Sequence, residues 1–226
     1  IALDGIGRPA ADLRVLSVMY PNPGMFVVRG DSAYQRIEDL KGQPIAFGTR
    51  ASGLRILAND VLDGLGLQPE KDFSQIILDK AADGPQLVLD GEAEALWGAG
   101  IGWPGFVAVT GGPAGGRFIP PSPEQIAQIR EKHPHLKEMT VPAGTYKGQT
   151  EDIHSVGLWS LILVRPDLDE ETAYRLVRAM HLGHDEFVAR LAQGRYTRAE
   201  NSVEQVSAER LHPGARKFYR EIGLLP

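Results

Sequence analysis

The length and composition of the chain, 226 residues of which 42% are hydrophobic and 23% charged, indicate a globular protein of one large or two small domains. The formal net charge of -5 and the scattered Lys and Arg argue against nucleic acid as a partner. The absence of cysteine excludes disulfides and thiol chemistry, and no run approaches the ~20 apolar residues of a membrane-spanning helix.

Strands and helices alternate in the first part of the chain. Two short strands are predicted at 13–19 and 25–29, separated by a turn at 20–24, which contains two prolines and a glycine. A buried strand at 44–48 leads into a helix over 52–65, where apolar residues recur at helical spacing. Further elements are predicted at 74–78 (strand), 84–89 (helix), 93–97 (strand), 104–110 (helix or strand), 117–120 (strand) and 123–132 (helix). This alternation predicts βαβ units and a mostly parallel sheet.

The last third of the chain has a different composition. A long extended segment is predicted over 153–164, followed by a helix that Asp169 caps and that carries two acidic residues in its first turn. The segment 211–215, which contains Pro213 and Gly214, predicts a break before a final helix over 216–222. No basic and then apolar leader precedes Ile1, which is consistent with a processed or truncated N-terminus.

Motifs for catalysis are mostly missing. The spacing G-x-G-x-x-G occurs at 100–105, but Trp103 is bulky and Pro104 has no N–H to offer a pyrophosphate. The first downstream carboxylate, Glu124, follows a proline at a helix start instead of ending a second strand. We therefore interpret this spacing as coincidence and expect no cofactor. Neither a Walker A sequence nor G-x-S-x-G occurs, so the chain is predicted not to be an enzyme.

Two histidine pairs have spacings that a metal site could use. His133 and His135 flank a proline in a predicted loop, and His181 and His184 lie about one turn apart on a predicted helix. Because spacing places no third ligand beside either pair, we interpret both as structural or solvated and expect no metal.

The segment between the strand at 44–48 and the following helix could bind an anion. The first N–H groups of a helix lack intrahelical partners, Gly53 permits close approach to the backbone, and Ser52 can donate its hydroxyl to a carboxylate. The helix end contributes only about 0.3–1 kcal/mol, so a cation such as Arg50, next to Thr49, is needed for useful affinity. The alternative, in which Ser52 is an N-cap without any ligand, is equally compatible with the sequence.

Two aromatic residues are further candidates for the same site. Trp97 and Gly100 follow the carboxyl end of a predicted strand, where open α/β sheets place their ligand crevices. Tyr146 lies in a Gly- and Pro-bounded segment and could close over a ligand. Alternatively, Trp97 fills the core and Tyr146 packs on the surface.

Three ordered segments resemble one known family. The sequence at 37–53, which includes Ile45-Ala46-Phe47-Gly48-Thr49-Arg50-Ala51-Ser52-Gly53, resembles the start of the second lobe in type II periplasmic binding proteins. Together with 141–157, which begins Val141-Pro142-Ala143-Gly144-Thr145-Tyr146, and 211–219, which begins Leu211-His212-Pro213-Gly214-Ala215, it is similar to the TAXI family of solute receptors for tripartite ATP-independent periplasmic (TRAP) transporters.

This resemblance implies a Venus-flytrap α/β fold with a ligand held between two lobes. Lobe one would be partial and comprise 1–37 and 151–226, and lobe two would comprise 38–150. The implied function is extracytoplasmic capture of a small organic anion, such as glutamate or 2-oxoglutarate, for TRAP membrane permease subunits. Ser52 and Gly53 would bind the ligand carboxylate, while the segment from Trp97 to Gly100 and Tyr146 would line the cleft.

The chain departs from the family in three respects that bear on function. The Gly-x-Pro pattern that follows the Trp97 strand in members is stretched here into Gly98-Ala99-Gly100-Ile101-Gly102-Trp103-Pro104. Where members carry Gly-Ser-Gly-Thr, this chain has Ala51-Ser52-Gly53-Leu54, so one hydroxyl donor is lost. Members also carry a further part of lobe one ahead of the position of Ile1. Two alternatives remain: a ligand-sensing domain of a signalling system, and an enzyme on the same fold, which would turn over its ligand.

Overall fold

The computed structural model describes residues 12–50 and 52–226, and the chain forms two compact units. Unit 1 comprises Ile1–Pro21 and Trp159–Pro226, and unit 2 comprises Asn22–Leu158. The two pieces that flank unit 2 are grouped in one discontinuous unit, and residues 22–37 and 151–158 lie in unit 2. The reason is that the strands containing residues 22–29 and 153–157 pair with other strands of unit 2.

The described part of the chain contains seven strands in one mixed sheet, in the order β3-β2-β4-β1-β7-β6, with β5 paired to β1. Strand β2 runs parallel to both β3 and β4, whereas β1 is antiparallel to β4 and β5, and β6 is antiparallel to β7. The strands are β1 (Arg14–Arg29), β2 (Pro44–Thr49), β3 (Ser74–Leu78), β4 (Ala95–Ala99), β5 (Gly116–Ile119), β6 (Lys137–Val141) and β7 (Ile153–Val164). The predicted mixed α/β fold is confirmed.

Helices in unit 2 connect the strands, and those in unit 1 follow β7. The helices of unit 2 are α1 (Gly53–Gly64), α2 (Pro69–Asp72), α3 (Gly84–Asp90), α4 (Pro104–Gly111) and α5 (Pro123–Lys132). The helices of unit 1 are α6 (Glu170–Leu182), α7 (His184–Arg190), α8 (Ala199–Gln205) and α9 (Pro213–Glu221). Short 3-10 turns occur at Ile37–Leu40, Ala81–Asp83 and Ala192–Tyr196. None of the helices in the described ranges is long and apolar enough to cross a bilayer.

The predicted turn at 20–24 is wrong, because β1 continues through it as one strand. Proline fixes φ near −65° and pushes the residue before it toward extended backbone, so Pro21 and Pro23 are compatible with a strand. Both prolines are buried, and the Pro23 carbonyl accepts from the Gly100 N–H (3.3 Å).

Two further predictions also need correction. The sequence does not predict strand β6, because only two of its five side chains are buried and both lie on one face. The final helix begins at Pro213, inside the predicted break, because proline is tolerated at a first helical position. His212 caps this helix by accepting from the Gly214 N–H (3.2 Å).

Each unit has its own apolar core. In unit 2, the rings of Phe26 and Trp97 pack at a centroid distance of 4.8 Å, and Phe47 and Phe73 lie beside them. In unit 1, helices α6 and α9 contact each other, and the core contains Val15, Leu16, Ala173, Val177, Leu211, Phe218 and Tyr219. Burial of these side chains, at about 1.5–3 kcal/mol for each large one, is the main stabilising contribution.

Candidate functional site

The predicted binding segments meet at one edge of the sheet in unit 2. Since β2 and β4 are parallel neighbours, with Ala46 opposite Leu96, the loops that follow their carboxyl ends leave the sheet at the same edge. Strand β1 runs the other way, and its Gly24 pairs with Ala99 at this edge. This carboxyl edge is where open α/β sheets bind ligands.

The loop between β2 and α1 presents a hydroxyl group that no described residue uses. Gly48 adopts a positive φ of 91°, and the Ser52 N–H donates to the Thr49 carbonyl (3.1 Å). Ser52 has the extended backbone of an N-cap, but its side chain makes no capping hydrogen bond. Its Oγ is buried and has no hydrogen-bond partner among the described residues. Simple capping by the Ser52 side chain, the alternative left open by the sequence, is therefore not what the structure contains.

The surroundings of this hydroxyl suit a negative charge. Helix α1 is 12 residues long and has no acidic residue in its first turn. Gly53 is exposed, with open space where a Cβ would be. Arg50 is also exposed, and it forms no ion pair with the residues that the structure describes. A carboxylate could accept from the first-turn N–H groups and from Ser52, with Arg50 close in sequence to supply the positive charge.

Sequence reasoning missed a second cation at the same edge. Thr49 pairs with Leu78 at the end of the parallel strand β3, and exposed Lys80 follows two residues later. The signal that could have identified Lys80 was its position just after a strand parallel to β2. Exposed Asp79 beside it partly offsets the added positive charge.

Trp97 lies in the core and does not line an open cleft. Its side chain is only 1% exposed, and its Nε1–H donates to the Leu54 carbonyl (2.8 Å). A buried indole N–H needs such a partner, because leaving it unpaired costs free energy. Trp97 therefore connects β4 to the first turn of α1 and positions the helix end instead of offering its ring to solvent.

The structure brings Tyr146 and Gly100 together, but through a contact within the protein. The Tyr146 hydroxyl donates to the Gly100 carbonyl (2.8 Å) and accepts from the Gly102 N–H (2.9 Å). Its ring is 4% exposed and packs on Phe118 at 4.8 Å between centroids. Tyr146 thus holds the β4–α4 loop in shape, and its predicted role as a lid over a ligand is not the arrangement seen here.

The glycines at 100–105 serve the packing of this loop. Trp103 is the N-cap of α4 and Pro104 its first residue, so that position has no N–H to donate. A Cβ on Gly105 would lie 2.4 Å from the Trp103 ring, and one on Gly98 would lie 2.3 Å from it. Gly105 and Gly98 thus make room for an indole, whereas Gly100 and Gly102 have positive φ values of 121° and 74°. Backbone conformation and packing account for the glycines at these three motif positions.

An open groove of unit 2 lies away from the predicted binding residues. It has a volume of about 1030 Å³, and none of the residues predicted to bind ligand lines it. Its two arginines already have partners: Arg36 pairs with Asp39, and Arg117 donates to Gln35 Oε1 and the Ser32 carbonyl. The β2–α1 loop instead has an unpaired Ser52 hydroxyl and an exposed Arg50.

The two histidine pairs have different environments. His181 stacks on Phe218 at 5.7 Å, and burial, assisted by His184, lowers its pKa to about 4 despite the opposing effect of Glu200. His184 Nδ1 lies 3.2 Å from the Thr197 carbonyl, so this pair has a structural role. His133 and His135 instead lie beside Asp60 of α1, a residue that sequence spacing could not have placed there.

Comparison with known proteins gives a family and several similar structures. A sequence model described as "NMT1-like family" matches residues 5–223. The periplasmic aliphatic sulphonate binding protein SsuA from Escherichia coli is 18% identical, with a TM-score of 0.47, and the match covers 93% of this chain and 59% of that one. The periplasmic sulfonate-binding protein SsuA of a putative sulfonate ABC transporter from Methylobacillus flagellatus KT is 14% identical, with a TM-score of 0.48. That match covers 94% of this chain and 63% of the other. A TctC solute binding protein from Polaromonas is 15% identical, with a TM-score of 0.48, and the match covers 85% of this chain and 60% of that one. This chain therefore spans about three fifths of the length of these structures.

Proposed function

Because the chain belongs to the NMT1-like family, and because its β2–α1 loop has the features of an anion site, we propose that it is an extracytoplasmic solute-binding protein. Its ligand is a small organic anion, either an amino acid or a dicarboxylate such as glutamate or 2-oxoglutarate. Its partners are the membrane permease subunits of a TRAP-type transporter. The ligand class and the transporter type rest on the resemblance of 37–53, 141–157 and 211–219 to the TAXI family.

One observation carries the proposal: the buried Ser52 Oγ has no partner among the described residues and lies at the N-terminus of a long helix. A buried hydroxyl without a hydrogen bond costs about 1–3 kcal/mol, which a ligand that accepts from it would recover. The exposed Arg50 and Lys80 add positive charge near this point. Together these groups favour a carboxylate over a neutral or cationic ligand.

Trp97 and Tyr146 support this site indirectly. Trp97 donates a hydrogen bond to the carbonyl of Leu54 in the first turn of α1. Tyr146 hydrogen-bonds the Gly100 carbonyl and the Gly102 N–H of the neighbouring loop. A preformed loop loses less conformational entropy when the ligand binds. We therefore assign ligand contact to Thr49, Arg50, Ser52 and Gly53, and positioning to Trp97, Gly100 and Tyr146.

A thermal-shift screen of mono- and dicarboxylates tests the proposal. A ligand present at 100 times its dissociation constant stabilises the folded state by about 2.7 kcal/mol. For a chain of this length, that corresponds to a rise in Tm of roughly 5–10 °C. The variant with both Arg50→Ala and Ser52→Ala should lose this rise, whereas its Tm without ligand should change little because neither side chain makes a described bond.

The matched control removes an arginine and a serine elsewhere. Arg165 is exposed in unit 1, and Ser74 lies at the start of β3, the opposite end from the carboxyl edge of the sheet. A variant with Arg165→Ala and Ser74→Ala should keep the full ligand-induced rise. Equal loss of the rise in both double variants, or full retention in the Arg50/Ser52 variant, would contradict the proposed site.

A further inference from the structure

A cluster of two histidines and two aspartates lies where α1 packs against the end of α5. Asp60 and Asp63 are on α1, and His133, the C-cap of α5, is followed closely by His135. The close approach depends on Gly64, since a Cβ there would lie 2.8 Å from the Ile129 Cα. Packing of the two helices therefore brings together side chains that are far apart in the sequence.

Three potential ligand groups point at one another within this cluster. His135 Nε2 lies 3.0 Å from Asp60 Oδ2, and His133 Nδ1 lies 3.9 Å from Asp60 Oδ1. The ligand atoms of the three residues all fall within 4.8 Å of one another. Two ligands of a tetrahedral ion at ~2.0–2.1 Å are separated by roughly 3.3 Å, a value between the two observed distances. A small tetrahedral cation would draw these ligand atoms closer together, which the exposed His135 side chain allows.

The remaining aspartate orients the His133 ring. His133 Nε2 lies 2.8 Å from Asp63 Oδ2, and Lys132 contacts the same carboxylate through Asp63 Oδ1 (2.8 Å). Asp63 therefore accepts a hydrogen bond from Lys132 through one oxygen and from the His133 Nε2–H through the other. In the neutral tautomer this leaves a lone pair on Nδ1, the atom that faces Asp60.

Each histidine hydrogen-bonds one aspartate, His133 with Asp63 and His135 with Asp60, and the second nitrogen of His133 also faces Asp60. At 3.9 Å, His133 Nδ1 and Asp60 Oδ1 are too far apart to form a hydrogen bond. In protein metal sites, a carboxylate commonly accepts a hydrogen bond from one nitrogen of a histidine ring while the other nitrogen binds the ion. The side chains of His133 and Asp60 are 17% and 21% exposed, and that of His135 is 43% exposed, so an ion could enter from solvent.

We propose that Asp60, His133 and His135 form a binding site for a divalent transition metal ion, with Asp63 as the residue that positions His133. Two imidazoles and one carboxylate favour Zn²⁺ and its neighbours over Ca²⁺ or Mg²⁺, which prefer oxygen ligands. The bound ion joins the middle of α1 to the end of α5 and stabilises their packing. The site is independent of the anion site at the other end of α1.

Isothermal titration with Zn²⁺ on untagged protein, stripped beforehand with a chelator, tests this site. We expect one zinc ion per chain with a dissociation constant of roughly 1 µM or lower. Co²⁺ should give the visible absorption of a tetrahedral site at the same stoichiometry. His135→Gln and Asp60→Asn should each weaken binding by at least ~10-fold, and Asp63→Asn by about 10–100-fold through its effect on His133.

The control variant is His154→Gln, which removes an exposed histidine of unit 2 that contacts Thr140 and lies outside the cluster. It should bind zinc as the unmodified protein does. Circular dichroism verifies that each variant is folded, and His135→Gln changes the most exposed of the three ligands. Absence of saturable one-to-one binding, or binding unchanged in both His135→Gln and Asp60→Asn, would overturn the proposal.

Discussion

Replacing Tyr146 by Phe removes a single oxygen atom and separates the positioning role of this residue from a role in ligand contact. The ring would keep its packing against Phe118 and Phe106. The change deletes the hydrogen bonds to the Gly100 carbonyl and from the Gly102 N–H.

The cost follows from the burial of these two backbone groups. The Gly100 carbonyl is buried but keeps a long contact from the Trp103 N–H (3.4 Å), and the Gly102 N–H is half-buried and can reach water. Each lost bond contributes about 1 kcal/mol, and the desolvated carbonyl adds to this. We therefore expect a loss of about 2–3 kcal/mol in the free energy of unfolding.

Urea unfolding measures this loss as a lower midpoint at an unchanged slope. Hydrogen exchange at the Gly102 amide should also accelerate. Tyr34→Phe is the matched control, since the Tyr34 hydroxyl makes no described hydrogen bond, and it should shift the free energy by less than about 0.5 kcal/mol. If Tyr146→Phe were as stable as the unmodified protein yet lost ligand binding, the hydroxyl would be a ligand contact and our reasoning would be wrong.

Three further predictions concern packing, pH and helix capping. Gly24→Ala places a Cβ 2.8 Å from the Trp97 ring and should destabilise the protein by about 1–3 kcal/mol in urea unfolding; an unchanged midpoint would refute the steric argument. The pKa of His181 is about 4 in the folded state, below its ordinary value of 6.5, so its contribution to stability is complete above pH 6.5 and is lost as the pH falls toward 4. Partial exposure reduces that contribution to about 1–2 kcal/mol, and His181→Gln should flatten the pH dependence of unfolding over this range. Ser122→Ala removes the cap of α5 (Gln125 N–H to Ser122 Oγ, 3.3 Å) and should cost about 1 kcal/mol, whereas a cost no larger than that of Ser52→Ala would contradict the capping assignment.

The elements that the sequence predicts correctly are those whose signals are local. The predicted bounds of helix α5 match the observed ones because Ser122 and Pro123 mark its start and apolar residues recur at helical spacing. Helix α1 and strand β7 follow from the same kind of signal. The error at 20–24 arises because proline and glycine indicate a turn in isolation, whereas pairing of Gly24 with Ala99 keeps the strand extended.

The residues of the candidate site likewise divide into those with a local sequence signal and those whose role depends on distant partners. Ser52 and Gly53 can be identified from the sequence because a strand followed directly by a helix creates unpaired N–H groups wherever it occurs. The roles of Trp97 and Tyr146 cannot be derived in this way, because one side chain type suits a cleft wall or a core equally well. Only the partners in space, the Leu54, Gly100 and Gly102 backbone groups, decide between the two roles.

The sequence by itself determined the alternation of strands and helices, the exclusion of thiol chemistry and the position of the loop that we propose as an anion site, since each depends on residues close together in the chain. The tertiary structure decided which side chains are buried, which strand ends share an edge and which distant groups meet. Asp60 illustrates the difference: nothing near it in sequence marks it as a partner of His133 and His135, and the packing of α1 on α5 places it there.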